Sequence, residues 1–134
     1  MNNKITIIIL VTVIFFIGFF LLKKPQPEII NFVTLSSGEL FTMLSQEDFF
    51  FVNVHTPYEG EIKNTDAFIP YDKIIDNLDK LPKDKNTKIV LYCRSGRMSE
   101  IAAQGLINLG YTSVAHLSGG MIDWEKSGYG IIKN

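Results

Sequence analysis

With 134 residues, 13 Lys and Arg, 14 Asp and Glu and a net charge of −1, the chain has room for one domain. Its single cysteine excludes a disulfide scaffold and a cysteine-rich metal site. Apolar residues are unevenly spread: positions 5–22 carry no charge and are interrupted only by Thr6, Thr12 and Gly18. Lys4, Lys23 and Lys24 bracket that run; without them 10 basic residues face 14 acidic ones, about −4, which argues against nucleic acid as a partner.

As a helix, positions 5–22 would be roughly 27 Å long, near the hydrocarbon thickness of a bilayer. The flanking lysines can reach the headgroups on either side. A cleaved signal peptide has a shorter apolar core followed by small residues. The segment Phe19-Phe20-Leu21-Leu22-Lys23-Lys24-Pro25 offers none. Residues 1–24 are therefore expected to form an uncleaved transmembrane anchor. Positive charge is nearly balanced across it, and the short N-terminal tail favours a signal anchor with the following domain on the extracytoplasmic side. Pro25 and Pro27 make residues 25–31 a short, stiff linker, leaving 32–134 as the globular domain.

Within that domain strands and helices alternate. A short apolar strand is expected over 29–33. Ser36-x-x-Glu39 is a capping box that opens a helix through about 44. The nearly continuous apolar run 49–54 has the length and composition of a buried strand. Residues 55–66 are polar and irregular, and Phe68-Ile69 is a candidate short strand. Ile74, Ile75, Leu78 and Leu81 give 71–81 helical spacing. After a turn at 82–87, residues 88–92 form a second buried strand. A helix follows over 99–109 with Gly110 at its C′ position. A third core strand at 113–117, a Gly119-Gly120 turn and a short helix at 121–127 complete the pattern. Such alternation predicts an α/β domain with a mainly parallel sheet and helices on both faces, preceded by one transmembrane helix.

Cys93 falls where a buried strand ends and a helix is about to begin, the edge of a parallel sheet where ligands bind. The loop Arg94-Ser95-Gly96-Arg97-Met98 can curl so that backbone N–H groups face one centre, and Ser99 can cap the helix. The helix N-terminus, Arg94 and Arg97 add positive character. All of these favour a thiolate, or a persulfide anion, at position 93.

Three segments together resemble one family. Tyr92-Cys93-Arg94-Ser95-Gly96-Arg97-Met98-Ser99 resembles the active-site loop of the rhodaneses. Gly119-Gly120-Met121-x-x-Trp124-x-x-x-Gly128-Tyr129 resembles their C-terminal signature, and Ser99-x-x-Ala102-Ala103-x-x-Leu106-x-x-x-Gly110-Tyr111 fits the helix between. The likeness spans about residues 32–132. It implies a rhodanese-like fold and sulfurtransferase activity. Sulfane sulfur from thiosulfate or a persulfide donor would pass through a Cys93 persulfide to a thiol acceptor, which can be a protein, or to cyanide. No metal and no organic cofactor is implied. Cys93 would be the nucleophile, and Arg94, Ser95, Gly96, Arg97, Met98 and Ser99 would shape the substrate loop, with His55 nearby. The chain departs from the pattern in three places. Asn53-Val54-His55 stands where an Asp-Val-Arg triplet is frequent. Residues 64–70 replace the usual Gly-His-Ile-Pro-Gly-Ala segment, and Met98 stands where Arg is common.

His55 is a candidate to orient the loop, bind substrate or hydrogen-bond backbone. Arg97 is a candidate for substrate oxygens or for pairing with Glu59 or Glu61, Arg94 for bracing the loop, and Trp124 for packing. Glu59, Glu61 and Asp66 read as a solvated loop. A phosphatase needs an arginine six positions after the cysteine to clamp its larger oxyanion, and here that position is Ser99. The remaining alternative is a non-catalytic or redox-sensing binding module of the same fold at the membrane. For the anchor, full-length protein is expected to sediment with membranes and resist carbonate extraction. Recovery of a released form processed after about residue 24 would contradict it.

Overall fold

The structure, a computed structural model, describes residues 31–46 and 48–133. The expected anchor (1–24) lies outside the described residues, as does the linker (25–31) except for Asn31. Among the described residues no helix is long and apolar enough to cross a membrane.

Five strands form one parallel sheet: β1 (Val33–Leu35), β2 (Phe50–Asn53), β4 (Ala67–Phe68), β5 (Ile89–Tyr92) and β6 (Val114–Leu117), in the order β1-β6-β5-β2-β4. The central strands β5 and β6 are buried at every position, which is why β5 reads as an unbroken apolar run and β6 as one broken only by His116, rather than as alternating patterns. Two very short strands, β3 (Glu61–Ile62) and β7 (Ile131–Ile132), pair antiparallel as a separate ribbon.

Side chains leave the sheet on alternate faces and build two cores. One face carries Val52, Leu91, Cys93 and Val114, covered by α2 (Arg97–Asn108) through Ala102, Ala103 and Leu106. The other carries Phe51, Val90, Tyr92 and Leu117, covered by α1 (Ser37–Leu44) through Leu40 and by α3 (Gly120–Lys126) through Met121 and Trp124. The expected two-sided α/β architecture is present. Trp124 is a packing residue, 4% exposed, with its indole N–H donated to the Gly130 carbonyl at 3.0 Å.

Local signals place several boundaries. The capping box forms as expected: Ser36 Oγ accepts the Glu39 N–H at 3.3 Å, and the Glu39 carboxylate accepts the Ser36 N–H at 2.8 Å. Those bonds hold the Glu39 carboxyl below its usual range. Gly110 ends α2 with φ 88°. The segment 71–81 differs from expectation. It forms a 3-10 helix over Ile75–Lys80, interrupted at Asn77 (φ −126°, ψ 36°). The Asn77 amide donates to the Lys73 carbonyl, a side-chain bond that competes with the regular helical ladder. Ile74 and Leu81 are nevertheless buried core, as the spacing predicted. The first strand begins at Val33, at the end of the run expected for it.

Residues 55–66 are irregular, yet they are pinned. Tyr92 on β5 reaches across to accept the Ile62 N–H at 2.9 Å and lies 2.7 Å from Thr65 Oγ1. Thr65 gives its own proton to the Ile62 carbonyl, so the phenol donates to Thr65. Burial pushes the Tyr92 phenol far above its ordinary range and keeps it neutral. Tyr92→Phe would leave the Ile62 N–H buried without its acceptor. It is expected to lower stability by about 1–3 kcal/mol in urea unfolding, and an unchanged midpoint would remove this bond from the account.

Candidate active site

Cys93 is the first residue beyond β5 and is 1% exposed. The Gly96 N–H donates to its sulfur at 3.1 Å, and the sulfur lies 3.7 Å from Ser99 Oγ. Among the described residues Gly96 supplies the backbone N–H that reaches Sγ, where the sequence led us to expect several.

The tightness of this loop depends on two glycines. Gly96 has φ 96°, and a Cβ there would overlap the Ser118 carbonyl. Gly120 has φ 58°, and a Cβ there would collide with the carbonyls of Cys93 and Arg94. Without it, the first amides of α3 close onto the loop: the Met121 N–H donates to the Cys93 carbonyl at 2.9 Å and the Ile122 N–H to the Arg94 carbonyl at 3.0 Å. The Gly-Gly-Met segment is thus the lid that sets the direction of the cysteine loop.

The loop side chains divide by exposure. Arg94, Ser95 and Arg97 are exposed, Met98 is half-buried against the α2 core, and Ser99 is fully buried. α2 begins at Arg97 with Gly96 as its N-cap, so Ser99 lies inside the helix and does not cap it. Its hydroxyl instead donates to the Gly96 carbonyl at 2.9 Å and lies 3.1 Å from His116 Nδ1.

His55 is buried at the carboxyl end of β2, where it acts on the loop from outside. Its Nε2 lies 2.8 Å from Glu59, whose carboxylate pairs with Arg94 at 3.3 Å. Of the two roles considered for Arg97, the pairing with Glu59 or Glu61 does not occur. Arg94 makes the contact because it lies level with His55, two residues past the Asn53–Tyr92 register. Arg97 has no ion pair among the described residues, which leaves its guanidinium open to an anion. Glu59 is therefore more than a solvated loop residue, although a pair this exposed adds little energy and serves mainly to fix direction. Asp66 is also tied down: its carboxylate accepts the Phe51 N–H at 2.7 Å.

Asn53 accounts for one departure from the family pattern. It is fully buried, donates its amide to the Gly60 carbonyl at 2.9 Å and accepts the His55 N–H at 3.0 Å. A carboxylate could accept from His55 but has no proton for Gly60.

Comparison with known proteins agrees with this geometry. The model of the Rhodanese-like domain family matches residues 40–127. The chain belongs to the rhodanese-like domain family. A sulfurtransferase of Allochromatium vinosum is 36% identical over 88 residues, which cover 64% of this chain and 80% of that protein. A tRNA uridine(34) hydroxylase of Erwinia tasmaniensis is 35% identical over 98 residues, 69% of this chain but 28% of that protein. This rhodanese-like chain thus spans under a third of the hydroxylase it matches. A crystal structure of a rhodanese-like domain protein from Staphylococcus aureus superposes with a TM-score of 0.64 at 27% identity, covering 76% of this chain and 98% of that one. The fold and family inferred from the cysteine loop and the Gly-Gly-Met segment are borne out.

Sequence reading passed over His116, which is 4% exposed and reaches the loop through Ser99. The one signal was its position within the third core strand, where a polar residue needs a buried partner. For the lid, Gly120→Ala is expected to cost about 1–3 kcal/mol, since positive φ and contact with backbone both oppose a side chain. It should also change the rate at which Cys93 is alkylated. A variant with the parent's melting temperature and alkylation rate would show that α3 does not hold the loop.

Proposed function

We propose that this rhodanese-like domain is a sulfurtransferase that carries sulfane sulfur on Cys93. The observation that supports the reading best is Cys93 itself. It sits at the carboxyl end of a central parallel strand, with a backbone N–H on its sulfur and an exposed arginine at the loop rim. The relative named as a sulfurtransferase adds to it.

In the first half-reaction the Cys93 sulfur attacks the outer sulfur of thiosulfate or of a persulfide. A new S–S bond forms, and the donor's S–S bond breaks with its electron pair leaving on sulfite or on the donor thiolate. In the second, a thiol acceptor or cyanide attacks the terminal sulfur and Cys93 leaves as the thiolate. Both steps are displacements at sulfur, and neither needs an external oxidant or reductant. Arg97 would steer an anionic donor to the loop, and the Arg94–Glu59–His55 chain would hold the rim in place. Ser95, Gly96, Met98 and Ser99 would make up the rest of the substrate loop. Through residues 1–24 the domain would be held at the membrane, facing the extracytoplasmic side. The tRNA-modifying relatives are much longer proteins, and the net negative charge of the soluble part argues against an RNA substrate here.

Full-length protein incubated with thiosulfate or a polysulfide is expected to gain about 32 Da, one sulfur atom, on Cys93. Cys93→Ser should abolish both the adduct and turnover while leaving the fold intact. An unmodified Cys93, or sulfur transfer retained by the serine variant, would instead favour the binding-module alternative.

A further inference from the structure

We propose that Ser99 and His116 form a buried proton relay for Cys93, an inference that rests on the sulfurtransferase reading and adds a residue to its machinery. The parallel register sets His116 beside Leu91 on β5. Leu91 and Cys93 are two apart, so all three side chains leave the sheet on the same face. Ser99, on the first turn of α2, fills the space between. Its Oγ is 3.7 Å from Cys93 Sγ and 3.1 Å from His116 Nδ1. The three residues are 1%, 0% and 4% exposed, so no bulk water competes for these contacts. On the far side of the ring, Nε2 lies 3.5 Å from Thr34 Oγ1, and Phe32 packs edge-on at 5.2 Å between ring centroids.

These contacts leave the ring unprotonated, with an acceptor nitrogen toward Ser99. Burial lowers the His116 pKa from its ordinary value, while the Glu100 carboxylate and the Gly96 carbonyl pull the other way. Glu100 and Ser99 face the ring from α2, Thr34 and Phe32 from the β1 side, and Cys93 and Gly96 from the loop. The net direction leaves a neutral ring with a lone pair at neutral pH.

The relay balances without any co-reactant beyond the sulfur donor. The Cys93 S–H faces Ser99 Oγ, and the serine proton turns from the Gly96 carbonyl to Nδ1. As the donor approaches, Ser99 takes the thiol proton and passes its own to Nδ1. The S–H and serine O–H bonds break while a new O–H and an N–H form. The electron pair left on Sγ makes the bond to the sulfane sulfur. In the second half-reaction an acceptor thiol gives its proton to solvent and attacks as the thiolate. His116 returns its proton through Ser99 as Cys93 is released. His116 acts through Ser99 and is a positioning residue that also holds the proton; Ser99 touches the reacting sulfur.

The relay can be separated from a merely structural role. Asn in place of His116 presents a hydrogen-bonding atom near the Nδ1 position but cannot take up a proton. Iodoacetamide alkylation of Cys93 in the full-length chain reads the sulfur directly, without any sulfur donor. Between about pH 5 and pH 9, His116→Asn and Ser99→Ala are each expected to slow alkylation about tenfold at neutral pH and to move the acid limb of the profile upward. The double variant should be no slower than either single one, because both break the same chain. A parental profile in His116→Asn, or effects that multiply in the double variant, would overturn the relay. Should either variant fail to fold, the unsubstituted protein still decides. Capping Cys93 with methyl methanethiosulfonate is expected to move the titration midpoint of His116 in its NMR ring signals, and no movement would overturn the proposal. Loss of the relay with sulfur transfer intact would leave the proposed function standing. Normal alkylation without sulfur transfer would refute the function alone.

Discussion

The site depends on one close approach of backbone to backbone. At Gly120 the chain passes so near the carbonyls of Cys93 and Arg94 that no side chain fits, and the next two amides donate to those carbonyls. The carbonyls at the end of β5 lie past the sheet ladder and need donors from elsewhere. α3 supplies them and so determines where the strand stops and how the loop turns. Gly96 completes the arrangement from the other side, with its N–H on the sulfur and its α-carbon against the Ser118 carbonyl. Two segments more than twenty residues apart in sequence thus form one rigid seat for the cysteine.

Around that seat the structure separates bracing from chemistry by sheet face. Asn53, His55, Glu59 and Arg94 form a chain along one side of the loop, running from a fully buried amide to an exposed guanidinium. Cys93, Ser99 and His116 share the other face, beneath α2 and closed to water. Alternation along β2, β5 and β6 makes the division, because adjacent residues in a strand cannot serve the same face. The exchange of a carboxylate for Asn53 belongs to the bracing side. It fits the hydrogen-bond pattern there, where one neighbour offers a proton and the other requires one.

Local patterns in the chain were enough for the architecture. The short, largely apolar runs that become β2, β5 and β6 have the length and composition of strands buried on both faces, and the helical segments between them point to parallel pairing. The Ser36–Glu39 box and Gly110 marked helix ends through contacts made within a few residues. Where local and tertiary terms competed, the pattern misled. The 71–81 stripe is core, but Asn77 breaks its helix. The ribbon of β3 and β7 is too short to show alternation, and Tyr92 on the neighbouring sheet holds β3 in place through the Ile62 N–H.

The sequence by itself determined the family, the two-sided α/β sheet and the identity of Cys93 as the residue to examine, because each rests on composition and spacing within short segments. The tertiary structure alone decided the neighbours of that sulfur. That Arg94 rather than Arg97 meets Glu59 follows from the register of β2 against β5. That Ser99 faces His116 rather than capping its helix follows from the crossing of α2 over β6. Such pairings join residues 17 to 35 positions apart. Only the packing of strands and helices against one another, which no local periodicity encodes, brings them within hydrogen-bond distance.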